Sequence, residues 1–231
     1  MDWMILPILA CTVVVFTLGW FGLHVLERGV IFVDLALAQV AALGTTWAVF
    51  LGHEPDGHTA FAISLAFTFV GAIAFSAARL FEERVPQEAI IGIAYAVSAA
   101  LGILLVHFAD DPHGGEKIEH LLVGNLVWIQ PGELLVLAVV CGVVGVAHAF
   151  LSRHTLPITF DPAGARAAGA NVAAWDLFFY LSFGLALTAI VAVSGVLLVF
   201  SYLVIPAVVA RLFWTGVRAR LLAAGALGLG V

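Results

Sequence analysis

The side chains able to do chemistry in this chain are few, and most of them stand inside apolar runs. Asp34 and Gln39 lie within the run Val30–Leu51. A polar or ionisable group at membrane depth is costly, and as a rule it faces a bundle interior or an aqueous path where it meets a cation or another polar group. The two are five residues apart, about 500° of helix, so they diverge by about 140° and an undistorted helix does not aim both at one ligand. Asp34 is also near the start of its run, where an acid complements the helix dipole, so capping is the competing role.

A second set follows Pro86: Glu88 opens the run Ala89–Phe108, and Tyr95 and Ser98 lie three residues apart on one helix face. Tyr95 and Ser98 are pathway candidates; hydroxyls so placed also join helices to one another, and Glu88 reads as a helix cap. A third set is the acidic segment His107–His120, in which His107, His113 and His120 accompany Asp110, Asp111, Glu116 and Glu119. Imidazole with carboxylate suits zinc, manganese or iron, so these histidines are candidate ligands. Their spacing is loose around Gly114-Gly115, and a solvated loop is the alternative. His24 and His148, near the ends of runs, read as interfacial or hydrogen-bonded packing residues rather than ligands.

Several chemistries are excluded. A P-loop places a lysine after a glycine-rich turn to hold phosphates, whereas Lys117, the one lysine, sits in Gly-Glu-Lys-Ile. H-E-x-x-H and G-x-S-x-G are absent, so no hydrolytic signature is present, and no resident cofactor is implied. Cys11 and Cys141 lie in apolar runs without C-x-x-C spacing and read as inert thiols.

The elements that position these residues are spans. The chain is 63% hydrophobic and 10% charged, with a mean hydropathy of +1.14, far from a soluble domain in which about 25% of residues are charged. Runs of about 20 apolar residues fall at Met4–Val25, Val30–Leu51, Ala60–Arg79, Ala89–Phe108, Leu134–Leu151, Ala174–Val193 and Val196–Phe213, with a broken run from Leu221. The expectation is an all-α, polytopic transmembrane helical bundle, residues 1–231 forming one domain with seven full spans and a partial eighth. The first run lacks a basic leader and a small-residue cleavage site, and is read as a retained span. The last stretch, about 11 residues after Arg220, is too short for a bilayer of about 30 Å, so that span is expected to be incomplete.

Charge sets the orientation. Arg28, Arg79, Arg84, Arg153, Arg166, Arg211, Arg218 and Arg220 all fall in alternate connections, and only Lys117 falls opposite. Because basic residues in short loops stay cytoplasmic, the amino terminus is expected outside. With a formal net charge of −6, the chain is not expected to bind nucleic acid; its environment is membrane lipid.

Between the fifth and sixth runs, roughly residues 153–172, the stretch Phe160-Asp161-Pro162-Ala163-Gly164-Ala165-Arg166-Ala167-Ala168-Gly169 reads as a turn, a short amphipathic helix with an early proline, and a glycine stop. A helix so placed lies along the membrane surface. Further on, Gly195–Arg211 is a span with Pro206 two-thirds along it.

In these two segments the chain resembles the permease subunits of the ABC-3 family, importers of zinc, manganese and iron ions. The family pattern runs F-D-P-x-x-A-x-x-x-G and, after a span, G-V-x-L-V-x-x-x-L-x-I-P-A-x-x-A-R. Glu88–Leu105, and His120–Glu133 with its Leu122-Val123-Gly124-Asn125, match as well. The resemblance implies a multi-span permease of the inner membrane, working as a homodimer or pseudo-dimer, driven by a separate ATPase that binds the ATP, and fed by a periplasmic or lipoprotein substrate-binding protein. It makes Phe160, Asp161, Pro162, Arg166 and Gly169 the segment that docks on the ATPase. There the family often carries an acid after Asp-Pro, where this chain has Ala163. In the second span the family shows G-D-A-L-A-H-A-x-L-P-G, whose Asp and His look like pathway ligands. Aligned on Gly44, this chain places Gln39 at the His position and Leu35 at the Asp position, with Asp34 one residue early. The resemblance makes a divalent metal ion the expected cargo; with neither ligand retained in register, the alternatives are a metal chelate or non-metal cargo, or a structural membrane protein that transports nothing.

Overall fold

The computed structural model describes residues 4–55, 57–81, 84–108, 124 and 126–229. Within them every regular element is helical. That follows from the apolar runs, because in lipid a segment must satisfy its backbone N–H and C=O groups internally. The elements are α1 (Ile5–Arg28), α2 (Val33–Phe50), α3 (His58–Ala78) with a 3-10 turn Arg79–Phe81, α4 (Gln87–Phe108), a 3-10 turn Leu126–Trp128, α5 (Pro131–Phe160), α6 (Pro162–Ala167), α7 (Val172–Phe213) and α8 (Val217–Leu229). Six of them, α1 to α5 and α7, are long and apolar enough to cross a membrane.

The 42-residue α7 is not one rod. A straight helix of that length would measure about 63 Å, yet both its ends meet the end of α1. Near its start Asp176 is bonded to Arg28, and near its finish Arg211 donates to the Leu26 carbonyl at 3.2 Å. The reversal is at Gly195, whose φ of 72° and ψ of 167° lie outside helical space. Gly124, itself at φ 69°, packs so closely on the Ser194 backbone that a Cβ there would collide with it. The runs Ala174–Val193 and Val196–Phe213 are thus the two arms of one hairpin, broken at the single non-helical residue Gly195 where the sequence suggested a connection.

A second departure concerns α5. The run was expected to end at Leu151, but the helix continues to Phe160, so the first part of the 153–172 segment is helical. Arg153, His154 and Pro157 give those residues the look of a loop. Thr155, Ile158 and Thr159 are nevertheless buried, and Pro157, being exposed, costs only the hydrogen bond to a carbonyl that water reaches. α8, 13 residues or about 20 Å long, rests its Gly225 on Phe16 and its Gly228 on Val15 of α1.

The core lies where α1, α2, α3 and α7 meet, around Leu18, Phe21, Leu37, Phe75, Phe179, Tyr180 and Phe183. Small residues bring these helices close, as in membrane bundles generally. Gly44 faces the Ser64 backbone, and Ser64 Oγ donates to the Ala41 carbonyl at 2.8 Å. Thr188 Oγ1 donates to Thr68 Oγ1 at 3.0 Å beside Gly184. By contrast α4 and α5 turn apolar side chains outward, Ile93, Val97 and Ile103 on one and Leu135, Val143 and Phe150 on the other.

Candidate functional site

α2 packs against α3, α4 and α7 and encloses Asp34 completely, at 0% exposure in its first turn. Neither carboxylate oxygen has a hydrogen-bond partner among the described residues. No hydrogen bond supports a capping role, and the N-cap residue Phe32 supplies no side-chain cap, although an acid in the first turn still complements the helix dipole. A buried polar group without a partner is rare because desolvation goes uncompensated, and it requires an explanation. Gln39, one and a half turns on, is also buried and forms no side-chain hydrogen bond among the described residues.

The second set does not come together. Ser98 is buried, but Tyr95 is 37% exposed on the outer side of α4. Glu88 is half-buried, and the inward position belongs to its neighbour Gln87, whose amide donates at 2.8 Å to both the Phe75 carbonyl and the Tyr180 hydroxyl. His107 is exposed near the end of α4, beside Phe108. His113 and His120 lie outside the described residues. Among those described, no three His, Cys, Asp or Glu side chains are placed to hold a metal ion.

The segment after α5 is built as its residues suggested. Asp161 accepts the Gly164 N–H at 2.9 Å and caps α6, Pro162 occupies the first position, and Gly169 follows the helix in the left-handed region at φ 84°. Phe160 and Arg166 are exposed, while Ala165 packs with Ile158 and Val172 to pin α6 against the helices on either side of it.

One polar network went unnoticed in the sequence. The Asp176 carboxylate accepts from Arg28 at 2.5 Å and from Arg79 at 2.7 Å, through the same oxygen. Arg28 also lies 4.0 Å over the Phe179 ring, and its Nε donates to Thr159 Oγ1 at 3.3 Å. The Thr159 hydroxyl is then free to donate to His24 Nδ1, 2.7 Å away. Deeper in the bundle Trp20 donates to His148 Nδ1 at 3.1 Å, so His148 carries its proton on Nε2, toward Ser182 Oγ at 2.8 Å. Of the two roles expected for His24 and His148, interfacial or hydrogen-bonded packing, both residues take the second. The missed signal was Asp176 itself, an acid inside the run Ala174–Val193, which at that depth requires a partner.

Arg28, Arg79, Arg211 and Arg220 belong to helix ends that are tied together on one side of the bundle. The model of the ABC 3 transport family matches residues 1–230. The chain belongs to that family. The manganese transport system membrane protein MntC of Listeria monocytogenes is 24% identical over 201 residues, covering 84% of this chain and 66% of that protein. This member of the family therefore spans about two-thirds of that relative's length. Among solved structures, PsaBC from Streptococcus pneumoniae in complex with Fab superposes with a TM-score of 0.81 at 19% identity, over 100% of this chain and 80% of that one. An inward-facing conformation of a putative metal-chelate type ABC transporter gives 0.75 at 20%, over 97% and 73%. These superpositions place the family member in the fold of ABC membrane components, a multi-pass helical bundle.

Proposed function

We propose that this chain is the membrane permease of an ABC importer for a divalent metal ion, manganese foremost, working as a homodimer with a separate ATPase and an extracytoplasmic binding protein. The observation that carries this reading is Asp34, a fully buried carboxylate without a partner among the described residues, on the helix that α3, α4 and α7 enclose. A passing cation would supply the missing charge compensation. Carboxylate and amide oxygens suit manganese better than zinc, which favours imidazole and thiolate, so Gln39 in place of a histidine moves the preference toward manganese. With about 140° between them on α2, Asp34 and Gln39 do not face one ligand together, and Asp34 is the residue assigned to the path. The name of the Listeria relative agrees with this cargo.

In this reading the chain crosses the membrane seven times, the two arms of α7 counting separately, with α8 packed alongside. The arginine-rich end faces the cytoplasm and the amino terminus lies outside. There α6, with Phe160, Asp161, Pro162, Arg166 and Gly169, docks on the ATPase, which alone binds ATP. The amide at position 39 also suits a metal held in a chelate, whose own ligands make imidazole unnecessary, and that is the second reading. Proteoliposomes containing the permease, ATPase and binding protein distinguish the two. ATP-dependent uptake of radiolabelled manganese without added chelator is expected; uptake only when a chelator is supplied favours the second reading, and no uptake of either overturns both.

A further inference from the structure

We infer that Arg28 is a positioning residue that links the two chain segments flanking α6 to the start of α2, so that a displacement of α6 reaches the helix carrying Asp34. This rests on the docking role proposed above for α6. A single guanidinium holds both segments. Its Nε donates to Thr159, two residues before the α6 cap Asp161, and its NH1 donates to Asp176, five residues after the α7 cap Asn171. The short helix is therefore bracketed by two contacts to a single side chain, which is 1% exposed and has no water to move into.

Arg28 is also the last residue of α1, and the turn from it into α2 is stiff. Gly29 at φ 70° donates to the Leu26 carbonyl at 3.4 Å and Val30 donates to the Val25 carbonyl at 3.2 Å, the two bonds of a Schellman stop. Val33 then donates back to Val30 at 3.2 Å, and α2 begins at once, with Asp34 in its first turn. A shift of Arg28 has no slack loop in which to be absorbed.

α3 and α4, which pack on α2, are tied to the same place. Asp176 takes its second hydrogen bond from Arg79 at the end of α3, and one turn further along α7 Tyr180 takes the bond from Gln87 at the start of α4. The helices that enclose Asp34 are thus fastened to α7 one turn apart, beside α6. Two arginines on one carboxylate leave a net positive charge out of water, an arrangement that hydrophobic residues would replace at little cost to stability. Its directional bonds are what such packing would lack.

Thr159 is the member that can be altered without unpairing the buried ions. Thr159→Val preserves shape and removes the hydroxyl, whereas Thr159→Ser keeps it. Hydrogen exchange is measured on the permease–ATPase complex, nucleotide-free and trapped with ADP and vanadate. In wild type, trapping is expected to change protection both at residues 161–171 and at residues 26–36. In Thr159→Val the change at 161–171 stays and that at 26–36 falls about tenfold, the weight of one hydrogen bond to a charged group; Thr159→Ser restores it. A change at 26–36 as large in Thr159→Val as in wild type overturns the link while leaving the docking role standing. Absence of any change at 161–171 in wild type overturns the docking role and this inference with it.

Discussion

Gly22 of α1 lies directly on the carbonyl of Leu203 in the second arm of α7, and a Cβ at Gly22 would collide with that oxygen. The contact fixes how the hairpin returns along α1, because a backbone carbonyl within a helix cannot move aside as a flexible side chain can. Gly22→Ala is therefore expected to lower the thermal stability of the detergent-solubilised protein, by about 1–3 kcal/mol, as overpacking does. Gly92, in the second turn of α4, has nothing within 4 Å of its would-be Cβ. Gly92→Ala should be neutral or stabilise by up to about 1 kcal/mol, the helix propensity difference. A melting temperature unchanged in Gly22→Ala would refute the close contact, and a loss in Gly92→Ala would mean that another chain covers α4 there.

The Arg28–Asp176–Arg79 group makes an unequal prediction for its members. Asp176→Asn leaves two guanidinium groups facing each other, one of them fully buried, and should destabilise by about 3–5 kcal/mol, as breaking a buried ion pair does. Arg79→Gln leaves a neutral Arg28–Asp176 pair in place. Arg79 is also 16% exposed, and the expected loss is about 1 kcal/mol or less. Thermal melts of the two variants give the order directly; equal losses would show that Asp176 does not hold both arginines.

The spans were legible because apolar runs of bilayer length admit only one backbone solution in lipid, and the cap, proline and glycine of α6 were legible because they act within a single turn. What escaped depends on contacts far apart in sequence. Asp176 pairs with Arg28 across 148 positions, and only its presence within an apolar run hinted that it had a partner. The end of α5 was misjudged because Arg153, His154 and Pro157 are individually loop-like, whereas the burial of Ile158 and Thr159 against other helices keeps the segment helical. Tyr95 and Ser98 illustrate the opposite limit: three-residue spacing brings two side chains near one another but does not make both of them face inward.

Capping of α6 should be measurable in the assembly of the transporter. Asp161→Ala removes the acceptor of the Gly164 N–H and should cost about 1 kcal/mol of local stability, weakening ATPase binding by about fivefold. Asp161→Asn caps about as well and should bind within about twofold of wild type. Because Gly164 packs on the Asp161 carboxylate, Gly164→Ala should behave like Asp161→Ala. Titration of labelled ATPase onto the permease in nanodiscs reads all three, and full affinity in Asp161→Ala would show that the cap is irrelevant to docking.

Orientation is testable with single cysteines in a background where Cys11 and Cys141 are replaced by alanine. A cysteine at position 113 should react with a membrane-impermeant maleimide added from outside, and one at position 166 only after the cytoplasmic face is opened, if the arginine-rich end is retained inside as proposed. The reverse pattern would invert the topology and place α6 on the wrong side for an ATPase.

Asp34 is the sharpest test of the cargo. Asp34→Asn keeps the shape and removes the charge, and since the wild-type carboxylate makes no hydrogen bond among the described residues, the variant loses no cap. If a cation passes it, manganese uptake should fall at least about tenfold, the equivalent of about 1.4 kcal/mol of lost charge-assisted contact in the limiting state. Protein stability should hold or rise, because a neutral amide is less costly to bury than an unpaired carboxylate. Gln39→His gives the complementary result: imidazole favours zinc over manganese relative to an amide oxygen, so the ratio of zinc to manganese uptake should rise several-fold. Asp34→Asn with wild-type uptake, together with an unchanged metal preference in Gln39→His, would remove α2 from the pathway.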